Sequence, residues 1–75
     1  MPKRRGMLIK NVSERPLTLH LQTREIPMEA GDEVLVTAEE VRDATLREHL
    51  QVRSVAVVRP ATEEEGEQLA RELGG

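Results

Sequence analysis

Not one Phe, Tyr, Trp or Cys occurs in the 75 residues of this chain, so any core it builds comes from Leu, Val, Ile, Met and Ala. Each of these buries less surface than an aromatic ring, and a chain this short buries only about 60–65% of the surface its unfolded form exposes. Small scaffolds make up the shortfall with disulfides, a bound metal or association with other subunits. No cysteine is present for the first and no cluster of ligands for the second, which leaves association. The same absences remove thiol nucleophiles, Cys metal sites and aromatic platforms for stacked bases.

The net charge of −3 conceals a gradient. Lys3, Arg4, Arg5, Lys10 and Arg15 against Glu14 give residues 1–15 a net +4, whereas Arg59 and Arg71 against Glu63, Glu64, Glu65, Glu67 and Glu72 give residues 59–75 a net −3. A basic head and an acidic tail attract each other between copies of one protein. No apolar run approaches the roughly 20 residues that span a bilayer, and Pro2-Lys3-Arg4-Arg5 is not followed by the apolar stretch of a signal peptide. The expected location is therefore the cytoplasm.

Leu17, Leu19 and Leu21 alternate with Thr18, His20 and Gln22, the period of a strand with one dry face. Met7 to Val12 is apolar and β-branched enough to be a second strand. Ser13-Glu14-Arg15-Pro16 supplies a polar turn between them, and the two are expected to form a hairpin. Glu25-Ile26-Pro27-Met28 alternates again, with Pro27 restricted to an edge or bulge because it has no amide to donate. Ala30-Gly31-Asp32 reads as a tight turn with Gly31 at positive φ, leading into Glu33 to Val36 as the partner in a second hairpin.

At Thr37 the period changes. Thr37 and Glu40 have the spacing of a capping box, and Val36 and Val41 that of a hydrophobic staple. Val41, Leu46 and Leu50 then lie five and four residues apart, which suits either one helix shifted near Asp43-Ala44-Thr45 or two short ones, the second capped by Thr45 and Glu48. Val55 to Val58 forms a closing strand ended by Pro60. Thr62 and Glu65 repeat the capping-box spacing ahead of an apolar stripe of Leu69, Ala70 and Leu73, with Gly74 as a stop. An isolated helix of that length is marginal in water, so it needs something to receive its stripe.

These elements give an α+β fold: a small β-rich domain of two antiparallel hairpins in a sheet or partly open barrel, one capped helical segment, a closing strand and a C-terminal helix. The divisions are a basic arm over residues 1–6, the domain over 7–58 and an acidic tail over 59–75. The expected core is Leu8, Val12, Leu17, Leu19, Leu21, Ile26, Val34, Val36, Val41, Leu46, Leu50, Val55 and Val57.

Catalytic chemistry finds little purchase. His20 and His49 are the only side chains that titrate near neutral pH without perturbation. His20 stands on the polar face of its strand and His49 near a helix C-terminus, where the dipole favours its positive form. Ser13 belongs to a turn and Ser54 opens a strand, with no G-x-S-x-G elbow. The five glycines, at 6, 31, 66, 74 and 75, do not form a phosphate loop. No enzyme, no cofactor and no metal are expected. The single basic cluster, Lys3-Arg4-Arg5, lacks polar base readers, which argues against nucleic acid as the partner.

The order Met7-Leu8-Ile9-Lys10-Asn11-Val12-Ser13-Glu14-Arg15-Pro16-Leu17, then Ile26-Pro27-Met28-Glu29-Ala30-Gly31-Asp32-Glu33-Val34, then a helix through Val41 and Leu46 to Leu50, then the Val55 to Val58 strand, resembles the small structural proteins of tailed bacteriophages that attach to capsids or help build the head and tail. The likeness covers residues 7–58: a strand, an Asn with a polar turn, an Ala-Gly turn before a strand, and a helix before a final strand. Such proteins often carry Gly before the last strand, where this chain has Val52-Arg53-Ser54. The resemblance implies a non-enzymatic virion component, either a decoration or an adaptor, that binds a repeated capsid or head-tail surface. Lys3, Arg4, Arg5, Leu69 and Leu73 are the expected attachment residues. An alternative is carried by Ala30-Gly31-Asp32-Glu33-Val34, which is similar to the turn before the final strand in swapped-hairpin DNA-binding transcription factors and antitoxins of the AbrB type. In that family a helix usually precedes the turn, and Ile26 to Glu29 leaves no room for one.

Overall fold

A computed structural model describes residues 6–74. In chain order the elements are β1 (Met7–Asn11), β2 (Leu17–His20), β3 (Glu25–Met28), β4 (Glu33–Val36), α1 (Ala38–Val41), α2 (Ala44–Gln51), β5 (Val55–Pro60) and α3 (Glu63–Gly74). The fold is α+β, with antiparallel pairing throughout, a three-stranded sheet in the order β4-β1-β5 and a two-stranded sheet of β2 and β3. Neither sheet closes into a barrel.

The strands are the expected ones, but the partners differ. β1 does not pair with β2, nor β3 with β4. Instead β1 is the central strand between β4 and β5, and the one hairpin is β2 with β3, closed by the Leu21 amide on the Arg24 carbonyl at 3.0 Å. The polar segments at 13–16 and 30–32 are corners, at which the chain leaves the three-stranded sheet and returns to it. Asn11 builds both. Its side-chain oxygen accepts from the Ser13 amide and hydroxyl, and its Nδ2 donates to the carbonyls of Arg15 and Met28. Its backbone carbonyl accepts from the Gly31 amide at 2.9 Å, and Gly31 stands at φ 86° as the turn requires.

The core lies between the hairpin and one face of the sheet: Ile9, Val36 and Val55 on one side, Leu19, Leu21, Ile26 and Met28 on the other, with Leu46 of α2 closing the end. Leu17, Val34, Val41 and Leu50 are partly buried against it. Two expected core residues, Val12 and Val57, are 47% and 45% exposed. The error at β1 is one of parity. Met7-Leu8-Ile9 is apolar on both faces, so alternation could not choose between them, and a shift of one residue exchanges the faces. Ile9 and Asn11 face the core, and Leu8 lies half-buried on the opposite side. At β5 the register is interrupted by a bulge at Val58 and the cover is narrow. Val57 sits opposite buried Ile9, on the outer strand.

Helix α1 starts as the spacing predicts. Thr37 accepts from the Glu40 amide, and Glu40 accepts from the Thr37 amide at 2.9 Å. The chain then breaks into two helices. The cap of the second is Asp43, bonded to the Thr45 amide at 2.9 Å, instead of Thr45 itself. Its far end is a Schellman turn: the Arg53 amide donates to the Leu50 carbonyl and the Ser54 amide to the His49 carbonyl. Glycine is the usual residue at the left-handed position of such a turn. Here it is Arg53, at φ 62°.

Helix α3 has its own receiver. The Thr62 and Glu65 capping box is formed in both directions, and Leu69 is buried beside Leu35 on the face of the sheet away from the core. Ala61 is buried as well, its amide on the Gly6 carbonyl.

Candidate interaction surface

The described residues show no unsatisfied buried side-chain polar atom and no group of three His, Asp or Glu placed to hold a metal. The two histidines are far apart in role. His20 Nδ1 lies 3.3 Å from Glu25 across the hairpin, both largely exposed. His49 Nδ1 is 3.1 Å from the Ser54 hydroxyl, across the Schellman turn. No carboxylate is bonded to this imidazole among the described residues, so the pair acts as a closure of the turn.

The most organised polar cluster was not anticipated beyond the capping role of Glu40. Its side chain is 1% exposed and held by four donors. Arg24 approaches side-on, Nε to Oε2 at 2.8 Å and a terminal nitrogen to Oε1 at 3.0 Å, and the Thr23 hydroxyl and Thr37 amide complete the set. Burial pushes the Glu40 pKa up. The Arg24, Thr23 and Thr37 hydrogen bonds and the Arg24 charge outweigh it, and the group stays below its ordinary value. The same guanidinium donates to the Leu35 carbonyl at 2.9 Å. Nearby, Asp43 accepts from the Gln22 amide at 3.0 Å, and this bond together with that to Thr45 lowers its pKa. Loop 21–24 of the hairpin is thus tied to α1, the cap of α2 and the end of β4. With every lone pair engaged, Glu40 is a structural clamp and has no free valence for chemistry.

Two surface features remain available. One is a groove of about 400 Å³ between the C-terminal half of α3 and the loop 21–24 region, lined by Thr23, Thr37, Glu39, Glu40, Ala70, Leu73 and Gly74. Leu73 is 43% exposed at its side. The other is the outer edge of β5, where Val57 and Val58 are 45% and 47% exposed and Val52 nearby is 68% exposed. Of the expected attachment residues, Lys3, Arg4 and Arg5 lie outside the described residues, Leu73 is at the groove, and Leu69 is interior and committed to the fold. Sequence reading missed the edge of β5 because it placed Val57 in the core.

Comparison with protein-family models, with curated proteins and with solved structures yields no match. Among the described residues no helix is long and apolar enough to cross a membrane.

Proposed function

We propose that this chain is a non-enzymatic attachment protein of a tailed-phage virion, binding a repeated capsid or head-tail surface. The observation that carries the reading is Arg53. Resembling phage proteins place a glycine before the last strand, and this chain holds a left-handed residue at that place, φ 62° at the end of α2. The departure is one of side chain, and the backbone adopts the conformation that glycine serves. A second support is that two separate parts of the resemblance, the Asn with its polar turn and the Ala-Gly turn, are one hydrogen-bonded unit around Asn11.

Attachment falls to the basic arm, which lies outside the described residues, and to the Leu73 groove. Many such weak contacts on one lattice reinforce each other through effective concentration. The test is to purify particles by density gradient from cells that encode the chain and to quantify it in the particle fraction. It is expected there in many copies per particle, and in fewer when residues 1–5 are deleted or Leu73 is replaced by Asp. A chain found wholly outside the particles overturns the reading. So does tight binding to duplex DNA whose affinity falls steeply with salt.

A further inference from the structure

We infer that two copies of this chain pair through their β5 strands, antiparallel across a twofold axis, joining two three-stranded sheets into one of six. The backbone argument comes first. The Asn11 amide and carbonyl bond to Asp32 and Gly31, on the β4 side. In an antiparallel ladder hydrogen-bonded and non-bonded pairs alternate, so Asn11 opposite Val55 and Ile9 opposite Val57 are non-bonded pairs. The amide and carbonyl of Val57, a residue 45% exposed, therefore point outward, whereas Val55 before it is covered, and among the described residues β5 has no strand partner but β1.

Exposed edges are ordinarily protected by charge, proline or cover. From Ala56 to Val58 this edge carries neither charge nor proline, Val57 and Val58 are exposed, and the proline comes only at its last residue, Pro60. Three valines stand exposed along it or at its start, in a molecule whose small aromatic-free core leaves little stability in reserve.

The choice of a second copy as occupant rests on charge. Antiparallel pairing sets the beginning of one β5 beside the end of the other. At the beginning stands Arg53, exposed, with no ion pair among the described residues. Just beyond the end stand Glu63 and Glu64, exposed in the first turn of α3 and likewise without an ion pair there. Each copy thus presents a cation where the other presents anions, twice, as an isologous interface requires. Arg59, which a twofold axis brings near its mate, is already neutralised by Glu65 at 2.7 and 2.9 Å. The left-handed backbone of Arg53 fits this role, since a residue kept where glycine is easier is held for its side chain.

The test is the mass of the full chain by sedimentation equilibrium over a concentration series. A monomer–dimer equilibrium is expected. Val57→Pro, which removes an outward amide that β1 does not use, is expected to weaken it by about tenfold or more. Arg53→Glu weakens it too, and adding Glu63→Arg and Glu64→Arg restores it, a rescue that holds even if Val57→Pro fails to fold. A chain that stays monomeric throughout overturns the inference, as does a charge swap that rescues nothing. The inference is separate from the virion reading: a monomer still found in particles sinks the dimer alone.

Discussion

The two edges of the three-stranded sheet are finished in opposite ways. At β4 the outward carbonyl of Leu35 takes a hydrogen bond from Arg24, and Arg24 is held by Glu40, so that the β2-β3 hairpin and α1 lock the edge with charge buried inside the fold. At β5 the outward groups of Val57 meet no other strand among the described residues, and Val57 and Val58 stand exposed there. Both strands pair with the same β1. An edge is therefore not a property of the strand but of what the chain folds over it. Here the hairpin leaves the sheet after β1 and returns at β4, so its cover falls on the β4 side.

The closed edge breaks hardest. Glu40→Ala leaves the Arg24 guanidinium without its carboxylate and two other donors, the Thr23 hydroxyl and the Thr37 amide, unanswered. Removing one partner of a buried ion pair costs about 3–5 kcal/mol, and Arg24, 23% exposed, keeps some access to water that holds the loss toward the lower figure. A domain of this size has only about 4–11 kcal/mol in total. Urea melts of the variant should show that loss. A loss below about 1 kcal/mol would mean that packing closes the edge and the ion pair adds nothing.

Acid tests the same clamp without mutation. Glu40 has a folded pKa below its unfolded value, so its contribution is fully present above the unfolded pKa, near 4.3, and is lost as pH falls through the folded one. Glu65 behaves in the same direction. Its bonds to Arg59 and the Thr62 amide bring it to about 2, so its share disappears between the ordinary glutamate value and that point. The melting temperature should hold from neutrality to about pH 5 and fall below it. In Glu40→Gln the fall should be shallower, and an identical slope would remove Glu40 from the account.

How much of this contrast was legible beforehand follows from the range of the interactions. Thr37 with Glu40 and Thr62 with Glu65 were readable because a capping box is closed within four residues. The alternation of Leu17, Leu19 and Leu21 was readable because both its faces differ. Pairing was not: Asn11 meets Met28 and Gly31 at separations that no local pattern encodes, and short polar segments look alike whether they close a hairpin or turn a corner between sheets. Arg24 with Glu40 lies sixteen residues apart and was invisible for the same reason. Leu69 was read as part of a helical stripe that needs a receiver and was assigned to a partner; the receiver in the fold is the Leu35 face, which exists only once β4 has paired with β1.

At the start of the open edge, Arg53→Gly should raise stability. A side chain in the left-handed region costs roughly 1–2 kcal/mol, and the greater freedom of glycine in the unfolded chain returns part of it. The net gain expected is about 1 kcal/mol, or 4–8 °C in melting temperature for a domain this small. It should appear at concentrations where the chain is monomeric. At higher concentration the same change removes the cation offered to a second copy and should weaken association, so that stability and pairing move in opposite directions. If both rise together, Arg53 has no part in the contact.

The smallest effect belongs in the middle of the bare edge. Val58 is the extra residue of the β5 bulge, with no opposite number on β1, and its side chain is 47% exposed. Val58→Thr keeps the β-branch and the volume and exchanges a methyl for a hydroxyl that water can reach. Away from a core or a buried polar group such a change stays within about 0.5 kcal/mol, and thermal melts of dilute protein should be superimposable to within a few degrees. Glu40, whose partner Arg24 closes the β4 edge, and Val58 on β5 would then differ several-fold in cost, which is the contrast between a finished edge and an unfinished one. A loss of about 2 kcal/mol or more from Val58→Thr in the monomer would place the side chain against something that covers it. The β5 edge would then be closed, and the case for a second strand there would go with it.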